Sequence, residues 1–204
     1  GSLVGCSAGG ASNSGSGSSD SSKITISGST SVGPTMEILA EDYQKANKGT
    51  TIEVQQVGSS AGITNTIDGT SQIGMSSRDL KDEEKSELKE YQIAIDGIAV
   101  ITNSANKVKD LTLDQVKDIY TGKITNWKEV GGNDADIVVV SREDGSGTRD
   151  GFQEIVGFES GDLTSNAQIS DGSGNIKTTV QGNENAIGYI SFGYLDDSIN
   201  SVKI

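Results

Sequence analysis

The sequence predicts an α/β fold of mostly parallel strands with flanking helices. Three observations point there. Short β-branched runs recur along the chain, segments with apolar residues at helical spacing lie between them, and a Gly/Ser/Thr turn joins strand to helix at three places.

Ile24-Thr25-Ile26 is the first β-prone run, and it stops at Ser27-Gly28-Ser29-Thr30-Ser31. Met36, Leu39, Ala40 and Tyr43 then recur at helical spacing, with Pro34 tolerated in the first turn. Ile52 to Val57 alternates like a strand, ends in Gly58-Ser59-Ser60-Ala61-Gly62 and leads into a weaker helical stretch. Ile73-Gly74-Met75 precedes Ser76-Ser77-Arg78-Asp79, a charged helix is expected over residues 82–90, and Ile93 to Ile101 reads as a buried strand. Leu111 to Tyr120 is amphipathic, with Thr112 placed to cap it. Ile137-Val138-Val139-Val140 is a continuous β-branched run of the kind found in buried parallel strands. It runs into Ser141 to Arg149, followed by a helix around Phe152, Ile155 and Val156. A helix near Ile176 to Val180 and a strand over residues 186–192 complete the pattern, which shows no internal repeat.

Composition narrows the function. Lys plus Arg number 16 against 29 Asp plus Glu, a net charge of −13, and such a surface repels nucleic acid. The chain has no His, the commonest general base and metal ligand, and its single Cys excludes an intrachain disulfide or a thiolate zinc cluster. No EF-hand spacing and no P-loop Lys is found. These features predict no metal, no cofactor and no catalytic residue. A binding protein is expected, not an enzyme.

The three strand–turn–helix devices lie at Gly28 to Ser31, Gly58 to Gly62 and Gly145 to Thr148. Each sets unpaired backbone N–H groups and a hydroxyl at a helix amino terminus, where the helix dipole adds positive charge. That is anion-binding chemistry. The richest is Arg142-Glu143-Asp144-Gly145-Ser146-Gly147-Thr148, which joins a permanently charged fork to two hydroxyls and free amides. Asp144 is placed to hold the guanidinium. Taken singly, Ser29-Thr30-Ser31 and Ser59-Ser60 also read as ordinary helix caps; their convergence on one crevice is what gives them a ligand. Arg78 reads either as a second cation for that ligand or as a partner for Asp79. Trp127 reads as core or hinge packing.

At the amino terminus, Leu3-Val4-Gly5-Cys6 resembles the lipobox of bacterial lipoproteins, in which the Cys carries the lipid. The small polar residues that follow predict a flexible tether. Cys6 is the expected attachment point, which places the domain on the extracytoplasmic face of the cell membrane.

Gly28-Ser29-Thr30-Ser31, Gly58-Ser59-Ser60-Ala61-Gly62, Ile119-Tyr120-Thr121-Gly122-Lys123-Ile124-Thr125-Asn126-Trp127 and the Arg142–Thr148 motif occur in that order. Together they resemble the phosphate-binding subunit of bacterial phosphate ABC transporters, from about Lys23 to the end of the chain. The resemblance implies a two-lobed periplasmic-binding-protein fold of type II, with phosphate held in the cleft and delivered to the permease subunits by a monomer. It also implies a lipobox remnant and tether over 1–22, a first lobe over 23–97, a second over 98–192, and a return of 193–204 to a first lobe whose carboxyl-terminal part is truncated. Carried over by position, the phosphate contacts fall on Thr30, Ser31, Ser59, Ser77, Arg142, Ser146, Gly147 and Thr148, with Asp144 and Arg78 in support. Two departures stand out. Ser31 replaces the bulky aromatic of many relatives, and Ser77 replaces an Asp that accepts the ligand's proton. Capture of another tetrahedral oxyanion such as sulfate is therefore the alternative reading, with a phosphate-ester hydrolase behind it.

Overall fold

The computed structural model describes residues 22–204. The lipobox-like segment with Cys6 and the tether through residue 21 lie outside the described residues.

β1 (Ser22–Gly28), β2 (Thr50–Gln56) and β3 (Ile73–Met75) form a parallel sheet in the order β2-β1-β3. Parallel neighbours need crossovers. α1 (Gly33–Ala46) supplies the first and α2 (Ser59–Ile67) the second. The register pairs Gly28 with both Gln56 and Met75, so the three strands end level at one edge, from which both helices start. Burial here is sparse. Among the described residues, Ile26, Ala40, Ile63 and Met75 are the buried apolar residues of this lobe. The periodicity that builds α1 does not give a covered stripe, since Leu39 and Tyr43 stay exposed.

The charged helix expected over 82–90 is reduced to α3 (Asp82–Lys85). Its Glu84 side chain turns back to accept from the Lys81 N–H, and α3, Asp-Glu-Glu-Lys, has no apolar residue with which to pack. The strand expected from Ile93 begins instead at Ile98. Tyr91, Ile93 and Ile95 alternate as a strand would, but among the described residues 89–96 make no backbone–backbone hydrogen bond, and Ile95 is 89% exposed. An alternating pattern becomes a strand only where a neighbour supplies the ladder.

β4 (Ile98–Asn103), β5 (Val138–Arg142), β6 (Gln168–Ser170), β7 (Ala186–Ser191) and β8 (Ile199–Ser201) build the second sheet, ordered β6-β5-β7-β4-β8. β5 runs parallel to β6 and β7, with α5 (Gly147–Val156) and α6 (Ser173–Gln181) as crossovers. β4 is antiparallel to both β7 and β8. Residues 193–204, expected to return to the first lobe, place β8 on the edge of β4 and bury Ile199 and Val202 against the second lobe. Tyr194 reaches back, its hydroxyl donating to the Thr30 carbonyl at 2.7 Å.

This sheet is covered on both faces, which explains its continuous apolar runs. α4 (Leu113–Tyr120), capped by Thr112, brings Val116, Ile119 and Tyr120 against Val100, Phe152, Ile187 and Tyr189 on one face. On the other, Ile176 and Val180 of α6 pack on Ile101, Val140 and Ile190. Trp127 is core, its indole N–H donating to the Asn185 carbonyl at 2.9 Å.

Candidate functional site

The turns after β1, β2, β3, β5 and β6 meet where the two lobes touch. Gly28 makes the first turn possible. Its φ is +145°, and a Cβ there would lie 2.1 Å from the Met75 carbonyl oxygen. Ser29 follows, and its buried hydroxyl accepts from the Ser31 N–H at 3.1 Å and donates to Ser77 Oγ at 2.9 Å. Ser59, at the start of α2, accepts from the Ser77 N–H at 3.1 Å. Ser77 Oγ then lies 3.2 Å from Ser59 Oγ and 3.4 Å from Thr148 Oγ1, while Ser31 Oγ and Thr148 Oγ1 are directly hydrogen-bonded. Hydroxyls from four separate turns thus gather in one cluster. Ser31, Ser59, Ser77 and Thr148 point at one another.

The second lobe approaches through backbone. Gly147 opens α5 so close to the first lobe that a Cβ would sit 2.3 Å from Ser59 Oγ and 2.7 Å from Ser77 Oγ. Ser60 N–H donates to the Gly145 carbonyl at 3.0 Å, fixing the two loops edge to edge. Ser146 is fully buried and caps α5 by accepting from the Arg149 N–H at 3.0 Å.

Arg142, the last residue of β5, is 1% exposed and supplies the buried positive charge. Its Nη2 donates to Thr30 Oγ1 at 3.1 Å and its Nη1 to Ser173 Oγ at 3.2 Å. The carboxylate that holds it is Glu143, which accepts from Nε and from Nη2, each at 2.8 Å. Burial disfavours the ionised Glu143, but the hydrogen bonds and charge of Arg142 outweigh it and hold the carboxyl below its usual range. Asp144, expected in this role, turns away. Its side chain is 95% exposed and pairs with Arg149 at 3.2 Å.

Arg78 takes neither of its two expected roles as its main one. Its guanidinium is clamped by Glu84, at 2.8 Å from Nη1 and 3.0 Å from Nη2, and its Nη1 also donates to the Asp79 backbone carbonyl. Asp79 contributes no side-chain partner.

Ser173 and Arg149 escape the sequence reading. Ser173 is fully buried at the start of α6, and its N–H donates to Thr30 Oγ1 at 3.4 Å. The signal for it was present as Asp171-Gly172-Ser173-Gly174, a fourth strand–turn–helix device. It is masked because β6 holds one large apolar residue, Ile169.

A hydroxyl cluster at helix amino termini beside a buried, braced guanidinium has the chemistry to hold a small oxyanion. The PBP superfamily domain matches residues 8–202. In a solved structure, the putative phosphate ABC transporter substrate-binding protein with bound phosphate from Clostridium perfringens is 69% identical. The match covers 89% of this chain and 75% of that one, with a TM-score of 0.87. An ABC-type phosphate transport receptor from Vibrio cholerae is 42% identical, with a TM-score of 0.69 over 88% of this chain and 75% of that one. The phosphate-binding protein PstS of Bacillus subtilis is 36% identical over 188 residues, which are 90% of this chain and 62% of that protein. The chain belongs to the PBP superfamily and, within it, to the substrate-binding proteins of phosphate ABC transporters. It spans less than two thirds of the length of the curated Bacillus relative.

Proposed function

We propose that this protein binds inorganic phosphate on the extracytoplasmic side of the membrane and hands it to the permease of an ABC transporter. The observation that carries this reading is the convergence of Ser31, Ser59, Ser77 and Thr148 from both lobes, with Arg142 beside them. Thr30, Ser146 and the Gly147 amide complete the proposed contact set. Each hydroxyl can both donate and accept, so the cluster suits an anion that carries a proton as well as lone pairs. Binding exchanges hydroxyl–hydroxyl bonds for charge-assisted ones, each contributing about 1.5–3 kcal/mol net. The overall charge of −13 does not oppose this, because charges beyond a Debye length of about 8 Å are screened at physiological salt.

Delivery as a lipid-anchored monomer through Cys6 belongs to the same proposal. The relatives that match are named for phosphate binding and transport, which supports a binding role over an ester hydrolase. Titration calorimetry with phosphate, arsenate and sulfate tests the reading: phosphate is expected to bind tightly to the wild type and weakly to Arg142→Ala. Equal affinity of the two proteins for phosphate would refute the assigned site. Tighter binding of sulfate than of phosphate at pH 8 would favour the alternative oxyanion.

A further inference from the structure

Arg142 sits where its sheet keeps only one neighbour: β6 still pairs with it at Ser170, but β7 no longer does. The β5–β7 pairs end at Val139↔Ile187, three residues before Arg142. Its backbone is buried, and buried N–H and C=O groups need partners. Two side chains supply them. The Tyr189 hydroxyl accepts from the Arg142 N–H at 3.1 Å, and the Arg149 Nη1 donates to the Arg142 carbonyl at 2.9 Å.

Both partners are themselves locked. The Tyr189 ring stacks on Phe152 with centroids 3.9 Å apart and planes 9° from parallel. Its hydroxyl shares a second hydrogen bond with Ser141 Oγ at 2.9 Å. Burial raises the Tyr189 pKa and keeps the phenol neutral, so it has a proton to share with Ser141 while it accepts from Arg142. Arg149 is held by its Nε donating to Gln153 Oε1 at 3.0 Å, and Gln153 in turn donates to Ser160. The Arg149 backbone N–H is the group that Ser146 caps. One residue therefore joins the end of β5 to the first turn of α5, the two pieces of chain that carry Arg142, Ser146, Gly147 and Thr148.

The geometry points to Tyr189 and Arg149 as positioning residues for anion binding: side chains that serve the Arg142 backbone where the β7 ladder has ended, fixing the backbone from which Arg142 is aimed. This inference rests on the phosphate-binding reading of the cluster. Neither residue needs to touch the ligand. Aim matters because a guanidinium is directional, and a small rotation at its Cα displaces the fork by more than the tolerance of a hydrogen bond.

Tyr189→Phe removes one oxygen and keeps the stacked ring. The expected result is phosphate binding weaker by about three- to tenfold, the effect of one buried hydrogen bond. Arg149→Lys keeps the charge but loses the fork, and a loss of similar size is expected. The decisive measurement is a double-mutant cycle with Arg142→Lys, read by titration calorimetry up to millimolar phosphate. If Tyr189 acts through the aim of the guanidinium, Tyr189→Phe costs clearly less affinity in the Arg142→Lys background. An equal loss in both backgrounds overturns the proposal. So does a Tyr189→Phe protein that melts lower yet binds as tightly as wild type, since the hydroxyl is then merely structural. A wild-type protein that fails to bind phosphate sinks the functional reading itself, and that outcome is separately visible in the first titration.

Discussion

Arg78 Nε and Asp150 Oδ2 stand 3.6 Å apart across the junction of the two lobes, Arg78 from the turn after β3 and Asp150 from the first turn of α5. The Arg78 Nε is buried and has no hydrogen-bond partner among the described residues, so this pair is the one interaction aimed at it. With Glu84 occupying the other edge of the guanidinium, the pair links the lobes without touching the hydroxyl cluster. Asp150→Asn is expected to loosen closure. A partly exposed ion pair contributes about 0.2–1 kcal/mol, which corresponds to a rise of roughly 1.5- to 5-fold in the phosphate dissociation rate. Stopped-flow fluorescence at low and high salt checks it, and the difference between the proteins should shrink as salt rises.

Gly147→Ala tests the close approach of the lobes. A Cβ there would lie 2.3 Å from Ser59 Oγ and 3.0 Å from Ser59 Cβ, so the Ser59 hydroxyl must swing out of the cluster or one lobe must move off the other. Overpacking of this kind costs about 1–3 kcal/mol, or roughly 5- to 150-fold in Kd. The loss should appear in phosphate titrations together with a larger radius of gyration in the presence of phosphate. An unchanged Kd would show that the lobes need not meet at this point.

Glu143 and Asp144 separate two readings of one motif. Glu143→Gln leaves the buried guanidinium of Arg142 short of a charged acceptor, and a loss of about 1–3 kcal/mol in unfolding free energy is expected. Asp144→Asn removes only an exposed carboxylate from Arg149, and its effect should stay within about 1 kcal/mol. Denaturant unfolding of the two variants decides between them; the reverse order would return the brace to Asp144.

Stability should also carry a signature of Glu84. The hydrogen bonds from Arg78 lower its pKa from 4.5 to about 2, although burial works against the charged form. A carboxylate lowered on folding stabilises the native state above its unfolded pKa, and that contribution fades as pH falls towards the folded value. Between pH 5 and pH 2, therefore, about where those two values lie, the melting temperature of the wild type should fall more steeply than that of Glu84→Gln. Parallel slopes would mean the Arg78–Glu84 pair is absent in solution.

Much of this site was legible in the residues because its parts are local. Ile137 to Val140 could only be a buried strand, and Gly145 to Thr148 only a turn into a helix, so Arg142 had to stand at that junction. Direction was not legible. Two adjacent carboxylates follow Arg142, and which one folds back depends on the path of the chain as it leaves β5. Partnership was not legible either. The alternation of Tyr91, Ile93 and Ile95 specifies two faces but no neighbour, and the described residues offer none. Arg149 falls at the end of the turn after the β-branched run and Tyr189 within the last expected strand, and no spacing announces that both end on the backbone of Arg142.

Among the described residues, the first lobe buries four apolar side chains, Ile26, Ala40, Ile63 and Met75. Hydrogen bonds tie it to the second lobe across the junction, from Arg142 to Thr30, from Tyr194 to the Thr30 carbonyl and from Ser60 to the Gly145 carbonyl. A captured anion stitched to both lobes would act as a further rivet between them. Amide protons of β1 and α2 should then exchange with solvent more slowly in phosphate, while those of β5 and β7, already sealed in a two-sided core, should hardly notice it.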